Sequence, residues 1–480
     1  MSGKTGKKET QGITIKKDED FSEWYNEVIL KAGLADFAPI GGCMTIRPYG
    51  YAIWENIQKK FDGMIKDKGH KNAYFPLFIP ESFLQKESEH FEGFVPEVAW
   101  VEADEGKYAI RPTSETIIYD AYSKWIRSWR DLPMLLNQWC NVVRWETKVT
   151  KLFMRTREFL WQEGHTAHAT DKEAHDEMMM ILGMYVDLIK NSLAIPVIEG
   201  EKSATERFAG AKITTTMESL MPDGKALQMG TSHHLGQHFS KAFGIKFLDK
   251  DGKEKHVHQT SWGITTRLIG AIVSVHGDDK GLVLPPKIAP IQVVIVPIIF
   301  DKNKKETLAE CRKVKETLEK SGLSVELDER DSYSAGWKFN EWEMKGVPLR
   351  LEIGPRDIDN KQAVFVRRDT GKKDTVKLKD LEKNAKKALE EIQNKLLSNA
   401  KKHLTDNTVS AKTYEELKSA IEKKKMVRAS WCENAACEEK IKDETAATIR
   451  VIPFKEKEKP GKCIACGKKA KHVVYLSRAY

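Results

Sequence analysis

The chain has 480 residues, too many for one hydrophobic core, so two or three domains are expected. Its 40% hydrophobic and 31% charged content is that of an ordinary water-soluble protein, and no long apolar run predicts a membrane span. The net charge of +9 is modest for this length. It suits a polyanionic partner, but a solvated basic surface explains it equally well.

The first stretch, MSGKTGKKETQGITIKKDED, is basic and lacks the apolar core and cleavage site of a signal peptide, which predicts a disordered tail over 1–20 and a cytoplasmic protein. Phe21, Trp24, Tyr25, Val28 and Ile29 have the spacing of one helical face, and a second helix carries Ile53, Trp54, Ile57, Phe61, Met64 and Ile65 as far as Gly69. NAYFPLFIP is extended, and its prolines exclude a central place in a sheet. A helix is predicted over 114–129. LLNQWCNVVRWE and REFLWQEGHTAHA then read as antiparallel strands joined by a charged loop at 147–157. A long helix covers about 171–193, with its methionines as packing. After a Gly/Pro linker at 278–290, strands IQVVIVPII, SVELDE, VPLRLEIG and QAVFVRRD alternate with helices, one near 335–345, which predicts a small α/β domain. A lysine-rich helix, about 378–403, leads to the last module.

That module holds four of the seven cysteines, as Cys432–x4–Cys437 and Cys463–x2–Cys466 with 25 residues between the pairs. In a reducing compartment this spacing predicts a closed, structural zinc site with four thiolate ligands. Three segments of the first domain carry further chemistry. In VVRWE, Arg144 and Glu146 stand two apart on a strand and so share a face. Arg155, Phe159, Trp161 and Glu163 return along its neighbour. In SWGITTRLIG, Gly263 and Arg267 open a helix, where backbone donors and a guanidinium converge on polyphosphate. Singly each is a weak signal, and an Arg–x–Glu on a strand is usually a surface ion pair.

In chain order the sequence resembles the class II aminoacyl-tRNA synthetases: Pro76 or Pro80 in GHKNAYFPLFIP fits their first motif, Arg144–Glu163 the second and Gly263–Arg267 the third. RPTSE (111–115), FVPEVAW (94–100), FLWQEGHTAH (159–168) and ALQMGTSHHLGQ (226–237) narrow the resemblance to the prolyl-tRNA synthetases, and it runs from about Phe21 to Tyr480. It is similar to the archaeal/eukaryotic type, found also in some bacteria. The resemblance implies an α+β fold: an antiparallel-sheet catalytic core at 21–285, an α/β anticodon-binding domain at 286–403 and a C-terminal zinc-binding module at 404–480.

It also implies roles. Arg144 would grip the ATP α-phosphate, and Phe159 and Arg267 would sandwich adenine, with Arg267 near the γ-phosphate. Arg155 and Thr156 would cover the phosphates and the base edge. Glu146, Gln228 and Thr265 would complete the ATP site, with Mg²⁺ on the phosphates. Thr113 and Glu115 would hold the secondary ammonium of L-proline, Phe94, Trp161 and His233 would enclose its ring, and Arg144 and Glu163 would also belong to the proline site. Either Thr113 or Ser114 should also cap the helix that follows. His233 and His234, adjacent on a strand, point apart and so make a poor metal pair. Glu343, Arg350, Arg356 and Asp357 would read the two guanines that end every proline anticodon. Homodimers formed partly through the first motif are implied, with tRNA(Pro) as partner, no editing domain, and the terminal carboxylate near the active site. Sequence alone favours a frayed end instead.

Overall fold

The computed structural model describes residues 12–90, 98–145 and 149–480, so Phe94 and Glu146 lie outside the described residues. Among the described residues, no helix is long and apolar enough to cross a membrane.

Residues 12–20, expected to belong to the tail, pack against the rest of the protein. Ile13 and Ile15 pack on the main core, and Thr14 donates from its backbone N and its Oγ1 to Glu27, at 2.8 and 2.7 Å. Lys17 Nζ donates to Gly277 O at 2.7 Å, and burial brings its pKa down to about 8. Helix α1 (Phe21–Lys31) starts at Asp20, whose carboxylate accepts from the backbone of Ser22 and Glu23. It buries Trp24, Tyr25, Val28 and Ile29 beside α2 (Pro48–Lys66). The Phe78–Pro80 strand lies at the edge of a separate three-stranded sheet, where prolines are tolerated. Helix α3 (Glu115–Trp125) stops short of the predicted 129. Ile126 turns to extended backbone, and Ser128 and Asp131 cap a separate short turn at Trp129–Asp131.

The central strands are β1 (Met134–Val143), β2 (Glu158–His168), β3 (Ile198–Glu201), β4 (Ile213–Leu220), β5 (Lys225–Gly236) and β6 (His258–Thr265). They pair antiparallel in the order β3-β4-β5-β6-β2-β1. Helix α4 (Asp171–Asp187), with a Thr170–Glu173 capping box, ends in one wider turn at Leu188–Ser192. It packs with α1, α2 and α5 (Arg267–His276) on one face of the sheet. Strand alternation decides what β2 shows to each side. Gln162 accepts from Tyr185 on α4, at 2.6 Å, while Phe159, Trp161, Glu163 and His165 face a cavity on the opposite side. Gly164 is required where it stands: a Cβ there would lie 2.2 Å from the indole of buried Trp262. Gly263 does not open a helix as expected. It lies within β6, opposite Glu163 and Thr231, and only Arg267 begins α5.

Strands β7 (Val293–Pro297), β8 (Val325–Leu327), β9 (Leu349–Ile353), β10 (Gln362–Arg367) and β11 (Lys373–Lys377) form a second sheet, ordered β8-β7-β9-β10-β11. Its first three strands are parallel and joined through α6 (Lys304–Lys320) and α7 (Ala335–Met344). A short α8 (Pro355–Asp359) follows β9, and α9 (Leu381–Asp406) runs a few residues past its predicted end.

The last segment adds β12 (Thr408–Ser410), β13 (Met426–Trp431), α10 (Ala435–Thr445), β14 (Thr448–Pro453) and β15 (His472–Ala479). These strands extend the central sheet rather than forming one of their own, because β14 pairs with β3. The end of the chain is not frayed. Arg478 and Ala479 pair with Lys225 and Ala226, and the Tyr480 hydroxyl donates to Asp223 at 2.7 Å.

Candidate active site

A cavity of about 400 Å³ opens over the sheet face opposite the helices. At one end stand carboxylates held by the loop before α3. Arg111 fixes that loop: fully buried, it donates to the backbone of Asn141 and Phe75, each at 2.8 Å. Thr113 Oγ1 donates to Glu115, and Ser114 Oγ donates to Glu163. Neither hydroxyl caps α3, contrary to expectation, because both are taken by carboxylates. Glu163 also accepts from Gln138 Nε2 at 2.9 Å and lies 3.0 Å from His165 Nε2. Burial alone would raise the Glu163 pKa, but His165, Ser114 and Gln138 hold it below the usual range. Burial opposes charge on His165 too, yet Glu163 and Glu115 raise its pKa. Burial, reinforced by Glu163, pushes the Glu115 carboxyl up. The Glu163 charge is thus matched from within the protein, and Glu115 remains to meet a cation.

Aromatic groups wall this end. Trp161 donates through its indole to Cys140 Sγ at 3.3 Å and meets Phe159 edge-on, with ring centres 6.2 Å apart. His233 sits between Thr214 and Thr231, each 3.0 Å from one ring nitrogen, and Phe208 covers it at 4.7 Å. Burial takes the His233 pKa down to about 3, so its ring is a neutral surface. His234 turns to the other face, 3.0 Å from Asp171.

The other end is cationic. Arg267 donates to the backbone oxygens of Met154 and Gln228, at 3.0 and 3.3 Å, and its backbone N donates to Thr265 Oγ1 at 3.1 Å. Burial first, then the nearby Arg144 and Arg155, lower its pKa to about 10. Arg144 lies one residue past β1 rather than within a strand; its Nε donates to Pro112 O, and its guanidinium is 5.4 Å from the Phe159 ring. Arg155 precedes β2 and pairs with Lys151 across the connecting loop, beside Thr156, which donates to Glu158 O at 2.7 Å. Gln228, Thr265 and Tyr480 complete this wall. The cavity therefore offers the Glu115 carboxyl to an amine at one end and guanidiniums to phosphates at the other.

The other candidate residues lie elsewhere. Glu343 and Arg350 line one shallow cleft beside Trp342 and Arg368. Arg350 pairs with Glu352 at 2.8 Å and lies 4.2 Å over the Phe339 ring, and Glu343 pairs with Lys280 at 3.0 Å. Arg356 is exposed on α8, and Asp357 caps that helix by accepting from Gly354 N at 3.0 Å. Neither lines the cleft.

The sulfurs of Cys432, Cys437, Cys463 and Cys466 all lie within 4.8 Å of one another, with no disulfide among them. Cys432 Sγ is 3.6 Å from Cys437 Sγ and 3.8 Å from Cys466 Sγ. A tetrahedron of thiolates about 2.3 Å from a zinc ion has edges of about 3.8 Å, so the donor set fits that ion. Sequence reasoning left Arg111, Gln138, His165, Glu206 and Phe208 without a role and read Ser114 only as a possible helix cap. His165 alone carried a signal, since it continues the alternation of Phe159, Trp161 and Glu163.

Residues 99–276 match the family described as "tRNA synthetase class II core domain (G, H, P, S and T)", and 292–388 match "Anticodon binding domain". Fold and cavity thus belong to a class II aminoacyl-tRNA synthetase. Residues 414–480 match "Prolyl-tRNA synthetase, C-terminal". The chain is 56% identical over 472 residues to a proline–tRNA ligase of Natranaerobius thermophilus, covering 97% of each. It is 56% identical to that of Alkaliphilus oremlandii, covering 96% of each, and 51% identical to proline–tRNA ligase 2 of Bacillus cereus, covering 99% of this chain and 100% of the other. The chain belongs to the prolyl-tRNA synthetase family.

Proposed function

We propose that the enzyme activates L-proline with ATP and transfers the prolyl group to the 3′ end of tRNA(Pro). The observation that carries this reading is the two-ended cavity. With the ammonium of proline on Glu115 and Thr113, and the ring against Trp161 and His233, the proline carboxylate would point toward Arg144. A carboxylate oxygen attacks the α-phosphorus, the bond to the β-phosphate oxygen breaks, and pyrophosphate leaves. Arg144 and Arg267 would stabilise the charge that builds there, so catalysis is positioning and electrostatics, with no covalent nucleophile. Phe159 and Arg267 would hold adenine, with Arg155, Thr156, Gln228 and Thr265 around it, and Mg²⁺ would enter as counter-ion of the phosphates. A ribose hydroxyl of the tRNA 3′ end then attacks the acyl carbon, releasing AMP. Glu146 and Phe94 keep their proposed roles in the ATP and proline sites.

Several further parts belong to the same reading. Residues 21–285 would be the catalytic domain, 286–403 the anticodon domain and 404–480 the zinc module; the family matches at 292–388 and 414–480 fall inside the last two. Glu343, Arg350, Arg356 and Asp357 would read the anticodon. The enzyme would work in the cytoplasm as a homodimer, which the exposed apolar side chains Phe37, Ile40, Tyr74 and Phe78 favour. The archaeal/eukaryotic-type label gains nothing from the relatives named above, which are all bacterial. It rests on architecture alone: a cysteine-bearing C-terminal module and no domain between β2 and β5. Proline-dependent ATP–pyrophosphate exchange tests the whole. Exchange driven by proline over the other amino acids is expected; none with proline would refute the proposal.

A further inference from the structure

Between β3 and β4 a loop, residues 202–212, carries Glu206 and Phe208 into the cavity, Phe208 as the cover over His233. Its first turn is set at Ser203, whose backbone oxygen accepts from Glu206 N at 3.2 Å. Ser203 is buried, and its hydroxyl donates at 2.7 Å to Glu438 Oε1, a buried carboxylate on α10 in the cysteine-bearing module. Glu438 directly follows Cys437, one of the four clustered thiols. A second tie comes from the same module. Arg450, on β14, brackets Glu218 at 3.2 Å opposite Lys202, which is 2.8 Å from the same carboxylate, all three buried. Two cations on one carboxylate leave a positive excess. Glu206 faces it, 3.9 Å from Arg450. The loop is therefore held at its base by a hydrogen bond and at Glu206 by charge, both from the cysteine-bearing module.

We infer that Glu438 is a positioning residue for the amino-acid pocket, fixing the Glu206–Phe208 loop through Ser203 from the cysteine-bearing module. This rests on the proposal that Trp161, His233 and Phe208 enclose proline. The four thiols, closed on a metal, would anchor the start of α10, so the pocket cover is tied to the metal site through a single residue. ATP would bind at the other end of the cavity, so its affinity should not depend on this tie.

The test uses the full-length, metal-loaded enzyme with Ser203→Ala, Glu438→Ala and Glu438→Gln. Both alanine variants are expected to raise the KM for proline about tenfold, the scale for one lost buried hydrogen bond, with kcat and the KM for ATP within about twofold of the parent. Glu438→Gln keeps an oxygen that accepts from Ser203 and should restore the parent KM. Independently of activity, trypsin should cut after Arg207, exposed in the loop, faster in the alanine variants than in the parent or Glu438→Gln. An unchanged KM for proline in both alanine variants, or a parallel rise in the KM for ATP, would overturn the inference. Absence of proline-dependent exchange in the parent would instead overturn the functional reading beneath it.

Discussion

Arg267 carries its charge against burial and against Arg144 and Arg155, which together draw its pKa to about 10. Bringing guanidiniums together on one cavity wall is unfavourable until an anion arrives, and the free energy recovered then is available to a transition state that concentrates charge on phosphate oxygens. Arg144→Ala should therefore cut pyrophosphate exchange by about 10²–10³, the scale for one lost donor to a developing charge. Exchange near the parent rate would remove Arg144 from the phosphate site. At this scale the sequence was informative where the signal was local. Phe159, Trp161 and Glu163 alternate along one strand, and the structure lines the cavity with all three. Arg111 was passed over and Ser114 read only as a possible helix cap, because their partners, Asn141 on β1 and Glu163 on β2, are distant in sequence and meet them only in the folded protein.

Elements were legible where periodicity ran long and misjudged where tertiary contacts set their ends. The sequence predicts the β1–β2 pair, the long helix α4 and the strand–helix alternation after residue 290, and all are found. The prediction of a frayed end failed because β15 gains partners on both edges, β13 and β14, and touches β5 beyond them. The four cysteines were readable from spacing alone, and the fold draws their sulfurs together from two separate turns of chain. Elemental analysis should find about one zinc ion per chain. Cys463→Ser with Cys466→Ser should lose it and lower the melting temperature, because that ion would link α10 to the segment leading into β15. Full metal content in the double variant would place zinc elsewhere.

At the scale of the molecule, the second sheet and the cavity are separate sites, which predicts separable functions. Arg350→Ala should weaken charging of tRNA(Pro) while leaving pyrophosphate exchange nearly intact. Arg350 is a cleaner probe than Asp357, whose carboxylate caps α8 and whose loss would cost about 1 kcal/mol of local stability besides any reading role. An equal fall in both activities would make the cleft structural.

The cavity's chemistry also limits how well it can choose its amino acid. Alanine and cysteine are smaller than proline, and the proposed proline pocket, walled by Trp161, His233 and Phe208, would penalise them only by the contacts they fail to make. One or two missing methylenes are worth about 1–3 kcal/mol, too little for faithful translation. A second, hydrolytic site would have to come from elsewhere in the chain. Between β2 and β5 there are only α4, its terminal turn, β3, the Glu206–Phe208 loop and β4. Each of these is already engaged: α4 packs the core, β3 and β4 complete the sheet, and the loop covers the cavity. The purified enzyme should therefore activate cysteine and alanine measurably in pyrophosphate exchange, and should leave pre-formed alanyl-tRNA bearing the proline anticodon intact. Rapid enzyme-dependent deacylation would reveal an editing site within this chain. Rejection of both amino acids at activation would mean that the cover over His233 closes on proline alone.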